Sequence, residues 1–342
     1  MESYNLNFDI KEVITDKNIP WSILSNCTVV VTGSSGLLGS LIVNSLYQIV
    51  QLCHLDIKVL AITRSPLQTK KKLGIHNNNV IFLKKEDLVK FKRIDYIIHC
   101  AAPTDSFFFV SHPVEVISGM LEDAFFLLNL GLNLKVRRFL QLSSLEVYGT
   151  TSTEFVDEDT WGALNPFSVR SSYSESKRLI ETLCRSYYEE YGLDTVVARL
   201  AQCFGAGVDL DRDKRVFADF VSQARNKKKI QLLTRGQTCR SYVYSSDAVR
   251  ALFYILLKAK AGTAYNIANP ENYCSILEMA NLVGKMLEVG VEITPNFEET
   301  KKFCPEQKIN MDISKLSDLG WTPRVSLDES FRRMITNSSQ TP

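Results

Sequence analysis

The chain has 342 residues, with 40 Lys and Arg against 38 Asp and Glu, a formal net charge of +2 and 45% apolar residues. That length buries a full core and exceeds one minimal domain. The near-balanced charge gives no general field for nucleic acid or an anionic membrane surface, and no apolar run reaches the ~20 residues of a membrane span.

The eight cysteines are scattered, with no CxxC pair and no His at zinc spacing, so no metal centre is expected. Most sit in apolar contexts, as buried thiols of a reducing compartment do. Met1–Asp16 is polar and mixed in charge and does not read as a signal peptide. A cytoplasmic location is the expectation. The runs Lys70-Lys71-Lys72 and Lys227-Lys228-Lys229 are short and read as solvated helix ends or loops.

In chain order, residues 1–26 form a polar extension with an anchor at Ile19-Pro20-Trp21. Its docking place is open: the first domain or a partner subunit. Residues 27–32 are β-branched and read as a buried parallel strand. The run Thr32-Gly33-Ser34-Ser35-Gly36-Leu37-Leu38-Gly39 follows, and Leu41, Ile42, Leu46 and Ile49 then mark a helix over 37–51. Strand, glycine turn and helix start together make a dinucleotide site. Gly33, Gly36 and Gly39 let the backbone approach a pyrophosphate, with Ser35 and Leu37 in the same turn. The helix start supplies unpaired N–H groups and a positive dipole end. The spacing by itself also suits a turn that only packs helix on strand.

The second strand, Ile57–Thr63, ends where an acid would bind the ribose 2′-hydroxyl of NAD; the chain has Thr63 and then Arg64. A guanidinium suits a 2′-phosphate, so NADP stands beside NAD. Stacking on adenine, or plain solvation, is the other reading of Arg64. After the third strand, Val80–Leu83, come Asp87 and Leu88. Asp87 suits an adenine amine or a helix cap. The fourth strand, Tyr96–Cys100, ends in Ala101-Ala102-Pro103, small residues past which a cofactor runs closely, and its His99 reads as a packed structural histidine. Thr104 and Asp105 follow as candidate sugar-hydroxyl contacts.

A helix over 113–133 leads to a strand at Phe139–Ser143 and the sequence Ser143-Ser144-Leu145-Glu146-Val147-Tyr148-Gly149. The next helix, 172–191, carries Tyr173 and Lys177 at i and i+4, on one face. An ammonium beside a phenol favours phenolate, which takes a proton from a hydroxyl. Ser144 is placed to hydrogen-bond that hydroxyl. A strand at Thr195–Leu200 completes an alternating α/β pattern: a Rossmann doubly wound parallel sheet over 27–200. Beyond it, 201–342 reads as a smaller α+β substrate domain, with helices near Val216–Asn226, Ser246–Lys258 and Ile276–Leu287, a strand at Ile230–Leu233, and a helix stop at Leu319-Gly320-Trp321-Thr322-Pro323.

The glycine turn, Ser144 with Val147-Tyr148-Gly149, and Tyr173/Lys177 with Arg178 and Glu181 resemble the extended short-chain dehydrogenase/reductases. So do Arg199 with Phe204-Gly205, Arg240-Ser241-Tyr242 with Asp247, Tyr265-Asn266-Ile267, and the Leu319–Pro323 turn. Within them the chain is similar to the NAD-dependent nucleotide-sugar epimerase/dehydratase family over roughly residues 27–335. The resemblance implies that Tyr173 deprotonates a sugar 4-hydroxyl while hydride leaves C4 for NAD(P), giving a 4-keto sugar. It implies C5-centred chemistry by Glu146, with dehydration or decarboxylation to follow; a 4-epimerase is the alternative and a net reductase a lesser one. Leu145 stands where many 4,6-dehydratases carry an acid, which counts against an ordinary dehydratase. The family's usual Asn is not evident in Ile117–Leu121. Gln202 replaces an Asn that contacts the substrate diphosphate, and Arg240 aligns with an arginine that binds diphosphate or acts near the sugar. Val216 is a further candidate substrate contact. The partner implied is a nucleotide-diphosphate sugar, and a homodimer is expected through the helices at 113–133 and 172–191, where Phe125, Phe126, Leu127 and Leu128 suit either an interface or the core.

Overall fold

The computed structural model describes residues 6–210, 213–295 and 306–338; Cys304 lies outside them. The first part of the chain runs α1 (Leu6–Ile14), β1 (Cys27–Thr32), α2 (Leu37–Cys53), β2 (Ile57–Ile62), α3 (Pro66–Leu73), β3 (Val80–Leu83), β4 (Tyr96–His99), α4 (Ser106–Ser111), α5 (Pro113–Leu134), β5 (Arg138–Ser144), β6 (Phe155–Val156), α6 (Ser172–Tyr191) and β7 (Thr195–Leu200). Then come β8 (Gln202–Phe204), α7 (Val216–Lys227), β9 (Lys229–Leu232), β10 (Cys239–Tyr244), α8 (Ser245–Lys258), β11 (Thr263–Ile267), β12 (Asn269–Ser275), α9 (Ile276–Met286), β13 (Gly290–Ile293), β14 (Lys308–Met311), α10 (Ser314–Ser317) and α11 (Leu327–Ser338).

Seven parallel strands form the main sheet in the order β11-β7-β5-β4-β1-β2-β3. The strand order reverses between β1 and β4, which makes their carboxyl ends the crevice for a ligand. Both faces are covered, and alternate residues of β1 show it. Val29 and Val31 enter the core with Leu46 of α2 and Phe253 of α8. Val30 enters the opposite core, with Leu127 of α5 and Ile180 of α6. That is why β1 reads as an unbroken apolar run. The expected doubly wound sheet is therefore observed.

The smaller lobe joins β12, β10, β14 and β6 in one sheet, with β8 on β10, and pairs β13 with β9. Helices α7, α9 and α11 close its core around Phe217, Met279 and Phe331. The chain crosses back over the boundary expected at residue 200. β11 pairs with β7 along its whole length, and α8 is buried from Ser245 to Leu256. A helix covered on all sides belongs between layers. Among the described residues no helix is long and apolar enough to cross a membrane.

Of the two docking places left open for the extension, the structure shows the molecule itself. Ile19, Trp21 and Leu24 are buried, and the Trp21 ring lies 4.7 Å from that of Phe253. The carboxylates of α1 and the turn after it explain the polar composition, because they are ion-paired inside the protein. Asp16 accepts from Arg250 Nε at 2.7 Å and pairs with Arg324 at 3.0 Å. Glu12 holds both terminal nitrogens of Arg333 at 2.8 and 2.9 Å. Asp9 accepts from Tyr244 Oη at 3.0 Å.

Candidate active site

The glycine turn is as tight as a pyrophosphate cradle requires. Gly33 has φ +67, and a Cβ there would stand 3.0 Å from the Ala101 backbone; a Cβ on Gly39 would stand 2.2 Å from the Gly33 carbonyl oxygen. Gly36 caps α2 without any side-chain bond, so first-turn N–H groups remain for an anion. Thr32 Oγ1 accepts N–H bonds from Cys100 and Ala101, each 3.1 Å. Both lone pairs are thus occupied, and the hydroxyl proton goes to His99 Nδ1 at 2.7 Å. Burial, with the charges of Lys177 and Lys85, holds His99 neutral, its pKa lowered to about 3. His99 is the structural histidine expected: it ties the ends of β1 and β4 where the crevice opens, and half-buried Ala101 and Ala102 follow it. These residues fit a dinucleotide.

At the adenosine end, Arg64 is exposed and makes no bond among the described residues, while Lys72 Nζ donates to the Ser35 carbonyl at 3.2 Å. The lysine run of α3 is the exposed helix end expected, and its last member reaches the glycine turn. Asp87 accepts from the Lys84 N–H at 3.3 Å and pairs with Lys90 at 2.6 Å. It is the third residue of a capped 3-10 turn, 85–90, rather than its N-cap. Leu88 is buried, so only its backbone is open to a ligand.

Strand β5 and helix α6 bring the four catalytic candidates together. Ser144 ends β5; its hydroxyl accepts from the Glu146 N–H at 3.2 Å and lies close enough to the Tyr173 phenol to favour its charged form. Tyr173 and Lys177 are both buried, with Lys177 Nζ 5.7 Å from the centre of the phenol ring. Lys177 donates to the Leu142 carbonyl at 2.7 Å, and burial lowers its pKa to about 8, against the pull of Glu181. The phenol differs from expectation. Burial and the Glu146 charge push its pKa up, while Ser144, Arg170 and Arg215 pull it down. Lys177 spends its proton on a main-chain carbonyl instead.

Glu146 also differs from expectation. Arg170 grips both its oxygens, at 3.0 and 2.9 Å, and Ser174 Oγ donates at 2.9 Å. Burial would raise the carboxyl pKa, but Arg170, the Arg240 charge and Ser174 overcome it and hold it below the usual range. Leu145 points into the core at 1% exposure, so no acid reaches the site from that position.

The substrate candidates are more dispersed. Thr104 is exposed. Asp105 is instead the N-cap of α4, accepting from the Phe107 N–H at 2.9 Å, the usual use of an Asp before a helix. Gln202 is half-buried in β8 beside Tyr242, and Val216 opens α7. Arg240 in β10 donates to Gln307 Oε1 at 3.1 Å, and its Nε is buried without a partner, a donor that an anion would satisfy. A cleft of about 480 Å³, lined by Arg235, Gln237, Cys239, Leu277 and Lys308, adjoins this strand.

Sequence reasoning missed Arg170, Phe109 and Arg215. Arg215 left a signal, a cation at a helix start that opposes the dipole; the structure pairs it with Asp213, 3.0 Å from its Nε. Arg170 and Phe109 left none, since their partners lie 24 and more residues away.

The NAD-dependent epimerase/dehydratase family model matches residues 29–268. UDP-glucuronic acid decarboxylase 6 of Arabidopsis thaliana is 31% identical over 313 residues, 91% of this chain and 88% of that protein. The NAD-bound dTDP-glucose 4,6-dehydratase of Streptomyces venezuelae superposes with a TM-score of 0.78 at 20% identity, covering 92% of this chain and 97% of that one. The UDP-glucose 4-epimerase of Thermotoga maritima does so with 0.74 at 22%, covering 91% and 97%. Glycine turn, Ser144, Tyr173 and Lys177 thus sit on a shared scaffold and inside the matched segment, and the chain belongs to the NAD-dependent epimerase/dehydratase family.

Proposed function

We propose that this enzyme decarboxylates a nucleotide-linked uronic acid, with UDP-glucuronate the first substrate to test. The observation that carries the reading is the state of Glu146. Dehydration needs a base to remove the C5 proton, and a carboxylate gripped on both oxygens, with a depressed pKa, is a poor one. Loss of carbon dioxide needs no such base. Once C4 is a ketone, the C6 carboxylate is that of a β-keto acid. The C5–C6 bond breaks, its electron pair enters the C4–C5 enolate, and C5 takes up a proton.

In this reading the glycine turn holds NAD, which when bound accepts hydride from C4 and returns it. Tyr173 removes the 4-hydroxyl proton and gives it back; Ser144 holds the oxygen. Arg240, with its free Nε, supplies positive charge toward a triply anionic substrate, and Arg215, already paired with Asp213, adds less. The decarboxylase names of the relatives support the substrate class. A homodimer through α5 and α6 accounts for Val114, Ile117, Phe125 and Leu179, which are exposed, whereas Leu127 and Leu128 fill the core. The seven described cysteines are free, which supports the cytoplasm.

Mass spectrometry of the protein incubated with UDP-glucuronate, without added cofactor, tests the reading. Loss of carbon dioxide supports it. Loss of water would make the enzyme a dehydratase, and an unchanged mass with a new isomer an epimerase.

A further inference from the structure

The residues around Tyr173 are fastened on every side. Ser172 Oγ donates to the Phe109 carbonyl at 3.1 Å, and Ser174 Oγ donates to Glu146. Ser171 Oγ donates to the Asn165 carbonyl at 2.7 Å. The Phe109 ring lies parallel to the phenol, 4.4 Å away with 4° between planes. The Arg170 guanidinium stands 5.3 Å from the centre of that same Phe109 ring, and its nitrogens close on Glu146. Guanidinium, phenyl and phenol thus form a stack whose end is anchored by a carboxylate from the turn after β5.

We infer that Arg170, Phe109 and Glu146 form a bracket that positions the Tyr173 phenol and sets its charge balance, with Glu146 serving as anchor rather than as a proton carrier at C5. Stacking fixes the plane of the ring, so the phenol oxygen meets one direction only, beside Ser144. The bidentate pair fixes the guanidinium that supports the stack. This deepens the decarboxylase reading and rests on it only for the turnover measurement below.

The charged groups facing the phenol are Glu146 from the turn after β5, Arg170 before α6, Lys177 within α6, and Arg215 before α7. Removing either member of the pair therefore has an opposite electrostatic effect. Glu146→Gln takes away a negative charge and makes phenolate easier to form. Arg170→Met takes away a positive one, leaves the carboxylate unpaired, and makes phenolate harder to form.

The direct test is tyrosinate absorbance of the NAD-bound full chain against pH, with the Tyr173→Phe trace subtracted, in each background. The Tyr173 midpoint is expected to fall by about one pH unit in Glu146→Gln and to rise by about one in Arg170→Met. Equal midpoints in all three proteins would overturn the proposal. Should Arg170→Met fail to fold, Arg170→Lys, which keeps the charge but loses the bidentate grip, is expected to hold the midpoint. Its kcat should fall about tenfold at unchanged KM, as should that of Phe109→Leu. In Glu146→Gln, deuterium from solvent is expected on the same single face of the product's C5 as in the parent; label scattered over both faces would restore Glu146 as the C5 proton carrier. If the parent protein leaves UDP-glucuronate unchanged, the substrate reading fails, while the midpoint shifts still decide the bracket.

Discussion

Tyr173 and Lys177 carry the sharpest consequences at the scale of single residues. Tyr173→Phe removes one oxygen, and turnover is expected to fall roughly 10²–10⁴-fold with cofactor affinity kept, by calorimetry against NAD. Lys177 is buried with its pKa lowered from 10.5 to about 8. The folded state therefore binds its proton less well than the unfolded chain does. The penalty is present below about pH 8 and is relieved as pH rises toward 10.5. Lys177→Met is expected to gain roughly 1–3 kcal/mol of stability at pH 7, by urea denaturation, while losing activity. These two residues were legible because four positions on a helix make a local contact. Arg170 was not, because its role is written in Glu146, which another element delivers.

Two elements decide whether the site exists at all, the glycine turn and α4. In the first, a Cβ on Gly39 meets backbone, not a movable side chain. Gly39→Ala is expected to force the turn open, weakening NAD binding more than tenfold and costing about 1–3 kcal/mol; calorimetry and denaturation read the two effects. In the second, a helix of six residues carries Phe109, and Asp105 caps it. Asp105→Ala is expected to cost about 1 kcal/mol and to lower kcat through Phe109. The main-sheet strands before residue 200 were readable to within a few residues, because parallel strands covered on both faces are unbroken apolar runs. The role of Asp105 was not readable, since an Asp after a strand and before a helix serves ligand or cap equally well in sequence.

The whole molecule is tied by ion pairs that join α1 and the turn after it to α8, Arg324 and α11. Arg250 and Asp16 are each 1% exposed, and removing one partner of such a pair typically costs about 3–5 kcal/mol. Asp16→Ala is expected to lose about that much at pH 7. Burial raises the Asp16 pKa, but Arg250, Asn18 and Arg324 overcome it and bring it below 3.8. Its contribution is therefore complete above pH 3.8 and is lost as pH falls through the lower, folded value. The variant and the parent should converge in stability in strong acid. None of these pairs was visible in residues 1–26, which read only as a polar extension with an anchor, because the partners of Asp9 and Asp16 lie more than 230 residues away.

The bond between Glu12 and Arg333 spans 321 positions. A ribosome that has released the chain through α8 has made the glycine turn, Ser144, Tyr173, Lys177, Arg215 and Arg240, yet Asp9 and Glu12 still lack Arg333. They must wait in water, or in a partly open fold, until α11 emerges. Such long-range closure is slow in entropic terms, so the seating of α11 against α1 is expected to be a late step of folding. A nascent chain stalled before residue 333 would hold Asp16 on Arg250 but leave Glu12 without its two-pronged partner.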